Sequence, residues 1–234
     1  LFPYTTLFRS CKSIFVFPLK STKDLLPAAT LAVTYLTAWY GLKHLAQIKS
    51  GDVVLIHAGA GGVGMAALQL AKHFGARCFA TAGSTEKQKI ALSLGAEKIF
   101  SSRQAQFSEE ILELTQGKGV DIVLNSLIVE FIDQSLKCMR TGGYFLEIGK
   151  RDIRSIDAIK SINDVNYHPY DIDEFMINHQ EKSSQMLNDI LNLYSNRQTQ
   201  SLQYHTFSWD QASEGYRFMA KALHIGKVLI TSPI

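Results

Sequence analysis

A glycine-rich turn between two apolar segments constrains the fold of this chain more than any other feature. Val53–Ile56 is a short run of apolar, mostly β-branched residues, as expected of a strand buried on both faces of a parallel sheet. Residues 65–74 have helical periodicity, and Arg77–Ala82 is a second apolar segment of strand length. The turn, at residues 59–64, joins the first strand to the helix. This order of elements predicts a βαβ unit.

The glycines of the turn indicate what the unit binds. They fit the pattern G-x-G-x-x-G, in which Gly59 permits the tight turn, Gly61 lets a pyrophosphate approach the backbone, and Gly64 lets the helix lie close to the strand. The N-terminus of the helix carries free N–H groups and a partial positive charge, which suit a phosphate. The pattern alone also fits a turn that binds nothing, but the strand before it and the helix after it favour a dinucleotide site.

The rest of the chain continues to alternate between predicted helices and strands. The apolar patterns predict strands at residues 98–100, 120–124, 144–148, 165–170 and 228–231, and helices at residues 25–46, 87–94, 108–115, 130–139, 183–195 and 212–222. Such alternation is typical of right-handed crossovers in one doubly wound parallel sheet of the Rossmann type, an α/β fold. A further short strand is predicted at residues 11–19.

The composition excludes several function classes. The 234 residues are 46% hydrophobic and 19% charged, and a net charge of +3 is too small to favour nucleic acid or a membrane surface as a partner. Cys11, Cys78 and Cys138 stand far apart, and the seven histidines show no metal-ligand spacing, so we predict neither a disulfide framework nor a metal site. No stretch is long and apolar enough to span a bilayer. A reducing, cytoplasmic setting is the simplest interpretation.

The end of the second strand predicts which dinucleotide is bound. An NAD enzyme usually places a carboxylate there for the ribose 2′-hydroxyl, but this strand ends Thr81-Ala82-Gly83. Ser84 and Lys87 follow, and Arg103 lies in the next turn of the sheet edge, so hydroxyl and cationic groups are available for a 2′-phosphate. NADPH is therefore predicted over NADH. Ser84 as a helix N-cap and Lys87 as a surface lysine are compatible alternatives.

Other polar residues are predicted at the carboxyl edge of the sheet, where open parallel sheets bind ligands. Asn125 ends the fourth strand and is interpreted as a ribose or nicotinamide contact. Thr37, late in the first long helix, can also approach the cofactor or belong to the core. Lys150 ends the fifth strand and is either a surface residue or an ammonium that stabilises a developing negative charge on oxygen. Asp171 or Asp173, after the sixth strand, can hold it in place.

Five sequence motifs together resemble one family. The motifs are LTAWYGL, IHAGAGGVGMAALQLAKHFGA, VDIVLNSL, FLEIGKRDI and HIGKVLI. They resemble the enoyl reductase domain of modular polyketide synthases and the matching domain of animal fatty acid synthase, both in the zinc-free branch of the medium-chain dehydrogenase/reductases. The resemblance covers about residues 20–233. VLNSL and FLEIGK are far more specific to this family than the glycine pattern.

The resemblance implies an activity and a set of roles. In this family NADPH delivers hydride to the β-carbon of an α,β-unsaturated thioester on an acyl carrier protein, and the resulting enolate is protonated without a metal. By resemblance, the pyrophosphate is held by Gly61, Gly62, Val63 and Gly64, the 2′-phosphate by Ser84, Lys87 and Arg103, and the nicotinamide end by Asn125. Lys150 takes the position of the proposed proton donor or oxyanion stabiliser. Its partner is Asp171 or Asp173, and Asp171 is favoured. Neighbouring synthase domains are implied as partners, and a homodimer is possible in the parent synthase.

The resemblance also implies a domain division. The family carries a GroES-like β substrate domain, and remnants of it are expected at both ends: residues 11–23 as its end, residues 24–199 as the NADPH-binding Rossmann domain, and residues 200–234 as the return to it. Residues 1–10, LFPYTTLFRS, match the translation of a sequencing adapter and are excluded from the interpretation. With one wall of the cleft missing, the isolated chain is expected to bind NADPH weakly and to reduce little.

Two other functions remain open from the sequence. One is a free-standing NADPH quinone or enone oxidoreductase of the same superfamily, which intact flanking sequence distinguishes from a synthase domain. The other is a catalytically inactive structural fragment of a megasynthase. Loss of turnover in a Lys150→Ala variant that still binds NADPH separates an active enzyme from an inactive one.

Overall fold

The computed structural model describes residues 25–102, 104, 106–222 and 224–232. The predicted strand at residues 11–19, the segment 1–10 and Arg103 therefore lie outside the described residues. A six-stranded, all-parallel sheet forms the centre, in the order β3-β2-β1-β4-β5-β6. Its strands are β1 (Val53–Ile56), β2 (Arg77–Ala82), β3 (Ala96–Ser101), β4 (Val120–Asn125), β5 (Met139–Glu147) and β6 (Asn166–Pro169). This order is that of a doubly wound sheet.

Helices cover both faces of the sheet. They are α1 (Leu25–Ala29), α2 (Ala32–Trp39), α3 (Gly62–His73), α4 (Thr85–Ser93), α5 (Phe107–Leu114), α6 (Glu130–Lys137), α7 (Ile156–Lys160), α8 (Ile172–Asn178), α9 (Gln180–Ser195) and α10 (Ala212–Ala220). Successive residues of β1 point to opposite faces of the sheet. Val54 and Ile56 belong to one buried cluster with α2, α3 and α9, and Leu55 belongs to a second cluster with α5, α6 and α7. Two separate cores thus fix the sheet from either side. None of the described helices is long and apolar enough to cross a bilayer.

The prediction of one continuous helix over residues 25–46 is wrong in its details. The chain forms α1, then α2, and then a π-helix over Tyr40–Leu45. The widened turn includes Gly41, where a Cβ atom would collide with the hydroxyl of Tyr170. That hydroxyl donates to the carbonyl of Thr37 at 2.9 Å. The departure from α-helical geometry therefore lies where a tyrosine from beyond β6 packs against the helix backbone.

The C-terminal residues form a small unit beside the sheet. β7 (Tyr204–Ser208) and β8 (Lys227–Thr231) pair in parallel, and a short 3₁₀ turn and α10 connect them. The sequence predicted α10 and β8 but not β7. Gly226 forms an isolated bridge with Gly61, and its N–H donates to the Ala60 carbonyl at 3.2 Å. The unit is thus joined directly to the glycine-rich turn.

Candidate active site

The glycine-rich turn is too tight for side chains at its first and last positions, Gly59 and Gly64. A Cβ atom on Gly64 would collide with the Ala58 carbonyl and lie 2.8 Å from the Gly59 Cα, and one on Gly59 would lie 2.9 Å from the Ala80 Cβ. These contacts are shorter than real Cβ atoms tolerate. Gly61 has extended geometry (φ −80°, ψ 167°) and is the N-cap of α3, which begins at Gly62, three residues earlier than predicted. The first N–H groups of α3 at Gly62 and Val63 therefore face the edge where a phosphate can bind.

One side of the turn opens into a cavity of about 570 Å³ whose lining includes several polar and charged side chains. Ser84 and Lys87 from α4 and its N-cap line it, as does Ser102 after β3. The Ser84 hydroxyl accepts a hydrogen bond from the Lys87 N–H at 3.4 Å, as an N-cap, and the Lys87 ammonium donates to the Ala222 carbonyl at 2.8 Å. An ammonium has three N–H groups, so it retains donors for a phosphate.

Three residues of this cavity were missed by the sequence analysis. Lys221 and His224 reach it from the C-terminal unit, whose docking onto the turn has no signal in the local sequence. Glu86 also lines it, in the first turn of α4. The end of β2 itself carries no carboxylate, but this acid follows shortly after, where helices favour acidic residues. Glu86 is therefore among the residues that a ribose bound in this cavity would meet.

The other side of the turn opens into a smaller cavity of about 200 Å³. Ala58 and Gly61 line both cavities, so the two spaces flank one turn. The smaller one is mainly apolar and includes Leu124, Ser126 and Ile148 from the ends of β4 and β5. A long ligand laid across the turn would therefore meet polar and cationic side chains at one end and apolar side chains at the other.

His57 lines the smaller cavity from the end of β1, although no pattern in the sequence indicated a role for it. Its ring nitrogens lie 3.2 Å from the Thr81 hydroxyl and 2.7 Å from the Ser135 hydroxyl. Complete burial lowers the pKa of His57 to about 3, so the ring is neutral at physiological pH. It acts as a neutral link between β1, β2 and α6.

Asn125 lies at the predicted place but is committed to protein partners. It is fully buried, and its amide donates to the Glu147 carboxyl at 2.6 Å and to the Leu127 carbonyl at 2.9 Å. Its side-chain oxygen accepts from the Leu127 N–H at 3.1 Å. Both amide hydrogens are thus used inside the protein. A direct contact with nicotinamide stays a prediction, while the structure gives Asn125 an orienting part in the turn after β4.

Lys150 and Asp171 form an ion pair at the ends of β5 and β6, with 2.6 Å between ammonium and carboxylate. The other carboxylate oxygen of Asp171 accepts the Asp173 N–H at 2.9 Å and caps α8. The hydrogen bond with Asp171 raises the pKa of Lys150, and the same bond lowers the pKa of Asp171. Of the two candidate carboxylates, Asp171 is the one in contact. Both groups therefore stay ionised, with opposite charges, and the lysine side of the pair is well exposed.

Thr37 is not brought to either cavity. It is buried in α2, and its hydroxyl donates to the Val33 carbonyl at 2.7 Å, a common internal bond for threonine in a helix. Its contact with a cofactor stays a prediction.

Residues with metal-binding side chains do not converge in the described part of the chain. Among residues 25–102, 104, 106–222 and 224–232, no group of three His, Cys, Asp or Glu side chains is placed to hold a metal ion. A zinc site needs such a set of donors. The described residues therefore do not fit a zinc ion, whereas the glycine cradle and its cationic cavity fit a dinucleotide.

Comparison with known proteins gives one consistent family. The family described as "Zinc-binding dehydrogenase" matches residues 62–192. A polyketide synthase of Mycobacterium bovis, "Phenolphthiocerol synthesis polyketide synthase type I Pks15/1", is 43% identical over 88% of the chain. The chain spans only 10% of the length of that protein.

Three solved structures share the fold. The CurK enoyl reductase is 40% identical, with a TM-score of 0.90 over 95% of this chain and 67% of that one. The nucleotide-binding subdomain of the enoylreductase domain of PpsC from Mycobacterium tuberculosis is 38% identical, with a TM-score of 0.66 over 73% of this chain and 97% of that one. A mycobacterial protein solved in complex with NADPH is 25% identical, with a TM-score of 0.82 over 92% and 66% of the two chains.

Together, the glycine cradle with its two flanking cavities and these relatives indicate a site for a nicotinamide cofactor. The chain belongs to the zinc-binding dehydrogenase family and, within it, to the enoyl reductases of polyketide synthases.

Proposed function

We propose that this chain is the enoyl reductase unit of a polyketide synthase and reduces the α,β double bond of an enoyl thioester with NADPH. The Lys150–Asp171 pair carries this proposal, because it puts a fixed positive charge at the sheet edge that also carries the dinucleotide turn. Hydride transfer to a quinone or an enone also develops negative charge on oxygen, so this charge does not by itself select the substrate. Identity of 40% to an enoyl reductase favours the enoyl thioester.

NADPH is the proposed form of the cofactor. Ser84, Lys87 and Ser102 offer hydroxyl and ammonium donors to a 2′-phosphate, and Lys221 adds a second ammonium from the C-terminal unit. Arg103 joins them in the proposal, on the strength of its sequence position. The single acid of the lining, Glu86, is outnumbered by these cations.

The residues of the chain have distinct parts in the reaction. When bound, the nicotinamide would supply a hydride to the β-carbon, and negative charge would then develop on the thioester oxygen. Lys150 stays protonated beside Asp171, so its ammonium can stabilise the negative charge that develops on that oxygen. Asp171 keeps the lysine in place, since it is itself fixed as the N-cap of α8. The apolar cavity beside Leu124 and Ile148 excludes water from the nicotinamide face. The α-carbon then takes a proton from water on the exposed side of Lys150, which completes the reduction.

An acyl carrier protein is the proposed donor of the thioester, and neighbouring synthase domains are the proposed setting. Related chains are parts of large multidomain polyketide synthases, which supports both. We also propose that residues 24–199 form the nucleotide-binding domain and residues 200–234 the segment that returns to the substrate domain. The match of an isolated nucleotide-binding subdomain to 73% of the chain supports this division.

Deuterium transfer tests the function even if turnover is slow. The chain is incubated with NADPH that carries two deuterium atoms at C4 of the nicotinamide and with crotonyl-CoA, and the product is analysed by mass spectrometry. We expect butyryl-CoA with one deuterium on the β-carbon. Lys150→Ala should lower the rate by about 100-fold or more, as expected for an electrostatic stabiliser, with NADPH binding retained.

Two results contradict the proposal. Reduction of a benzoquinone without reduction of crotonyl-CoA indicates a quinone oxidoreductase. NADPH binding with reduction of neither substrate indicates a catalytically inactive module.

A further inference from the structure

Glu147 is a buried carboxyl group at the end of β5 to which the reaction above assigns no role. Only 1% of the residue is exposed. One carboxyl oxygen accepts the Gly149 N–H at 2.6 Å, and the other accepts the Asn125 amide at 2.6 Å. The ion pairs of the described residues do not include Glu147. A carboxyl group in such a place is costly to bury, so its retention needs an explanation beyond packing.

The carboxyl group fixes the backbone turn that carries Lys150. Gly149 is the residue before Lys150, and a Cβ atom on Gly149 would lie only 2.7 Å from the Glu147 carboxyl oxygen. The turn is thus folded directly over the acid. The side chain of residue 147 therefore determines the direction in which Lys150 leaves β5.

The same residue also reaches the partner of Lys150. The Glu147 carbonyl accepts the Tyr170 N–H at 3.0 Å, and Tyr170 immediately precedes Asp171. Through Asn125, the carboxyl group holds the turn after β4, where Ser126 lines the smaller cavity. One buried acid thus contacts the ends of β4, β5 and β6 at the point where the proposed reaction takes place.

We propose that Glu147 is a positioning residue: its carboxylate holds the 147–150 turn so that Lys150 meets Asp171 and faces the substrate oxygen. The reason for a carboxylate is that both of its partners are N–H donors, and an ionised carboxylate offers each of them an oxygen that carries no hydrogen. An amide has one oxygen and would place its NH₂ group against one of the donors. The proposal deepens the proposed function and rests on it.

The environment of Glu147 brings the pKa of its carboxyl group close to neutral pH. Burial raises the pKa of Glu147 to about 7, against the lowering effect of the hydrogen bonds from Asn125 and Gly149. Asp152 faces it from the loop after β5 and raises the pKa further, and Tyr167 and Tyr170 face it from β6 and the residue beyond. Protonation leaves the carboxyl with a hydrogen that neither partner accepts, which loosens the turn.

The test is a double-mutant cycle with a labelling measurement beside it. Glu147→Gln, Lys150→Ala, the double variant and Asp171→Asn are prepared in the full chain. Glu97→Gln is the matched control, because Glu97 lies on β3 and pairs with Arg77 far from the turn. Crotonyl-CoA reduction is measured across pH 6–9, and the reactivity of Lys150 toward acetic anhydride is measured by peptide mass spectrometry.

We expect Glu147→Gln to lower reduction about 10-fold, as for a lost hydrogen bond to a charged group, with NADPH affinity changed little. The double variant should be no slower than Lys150→Ala alone, so Lys150→Ala should cost only about 10-fold in the Glu147→Gln background instead of about 100-fold. Lys150 should become more reactive in Glu147→Gln, as in Asp171→Asn, because the ion pair no longer protects it. In the wild type, the rate of reduction should fall as the pH drops through neutrality, because Glu147 becomes protonated, and this fall should be absent in Glu147→Gln. Glu97→Gln should leave all of these readouts unchanged.

Multiplicative effects of the two substitutions, with Lys150 labelled as in the wild type, would overturn the proposal. If Glu147→Gln does not fold, Glu147→Asp serves instead, since it keeps the charge but cannot reach both donors. If the wild type reduces no thioester, the proposed function fails, and the labelling of Lys150 still decides whether Glu147 positions it.

Discussion

At the residue scale, Gly64 allows no side chain, because its Cα lies against the backbone of residues 58 and 59. We therefore expect Gly64→Ala to push α3 away from β1 and to destabilise the fold by about 1–3 kcal/mol, the usual cost of overpacking. NADPH affinity should fall at least about 10-fold, because the N–H groups of α3 move with the helix. Denaturant unfolding and NADPH fluorescence titration measure the two effects. Gly117→Ala is a control for binding only: its φ of +77° makes any side chain there strained, so stability should fall, but Gly117 lies after α5, away from the turn, and NADPH affinity should not change.

Lys87 allows the choice of cofactor to be tested. The Lys87→Gln variant loses an ammonium that lines the larger cavity and retains a polar group of similar length. The Kd for NADPH should rise about 10-fold or more, as for a lost charge-assisted hydrogen bond, while the Kd for NADH should change little. Equal losses for both cofactors would contradict a phosphate contact and would indicate that Lys87 mainly holds the Ala222 carbonyl.

The pKa of Glu147 also has a consequence for stability. It is raised from 4.5 to about 7 in the folded chain. Between these values the folded chain holds a proton that the unfolded chain has released, so the free energy of unfolding falls as pH rises through this window. Relative to Glu147→Gln, which does not titrate, the wild type should lose up to about 3 kcal/mol between pH 4.5 and 7, at about 1.4 kcal/mol for each pKa unit. Urea unfolding of both proteins at a series of pH values measures this difference, and parallel curves would contradict it.

At the scale of elements, the π-helix depends on the missing side chain of Gly41. The Tyr170 hydroxyl occupies the space of a Cβ atom there and donates to Thr37 in the turn before. Gly41→Ala should displace Tyr170 and the start of α8, and it should destabilise the fold by about 1–3 kcal/mol despite the better helix propensity of alanine. Thermal unfolding measures the change. Tyr170→Phe in the same background should recover part of the loss, and no recovery would mean that the tyrosine hydroxyl is not the obstacle.

The sequence predicted the elements that are buried, because burial leaves a pattern. β1 and β2 begin and end as predicted, and α9, which buries Met186, Leu187 and Ile190, differs only by three residues at its start. β7 was missed, since most of its residues are exposed or half-buried and its partner β8 is distant in sequence. α8 was missed although Asp171, followed three residues later by Glu174, forms the pattern of a helix N-terminus. The π-helix depends on a contact across the fold, which no local pattern contains.

The candidate site was predicted only in part for the same reason. Lys150 and the alternatives Asp171 and Asp173 were chosen because they follow strands of one sheet, and the resemblance favoured Asp171. The strand order places those strand ends side by side, and Asp171 is the carboxylate in contact. Glu147 was passed over because, in sequence, it is one acid in an apolar strand, and its partner Asn125 lies on the neighbouring strand. Residues that act through contacts between strands are visible only once the register is known.

At the scale of the whole molecule, the C-terminal unit covers one end of the nucleotide site. Lys221 and His224 line the larger cavity, and Gly226 bridges to Gly61 in the turn. NADPH should therefore slow hydrogen exchange in residues 221–227 as well as in residues 58–64. Hydrogen exchange with mass spectrometry, with and without NADPH, measures both segments. Protection of the turn alone would show that the C-terminal unit takes no part in binding.

The strand order also sets the length of the ligand that this edge can hold. β2 leads to Ser84 at one end and β5 leads to Lys150 at the other, with β1 and β4 between them. Three steps of about 4.8 Å separate the two strands, so the ends lie roughly 14 Å apart. The strand order thus fixes the distance between Ser84 and Lys150, and a mononucleotide is too short to contact both residues.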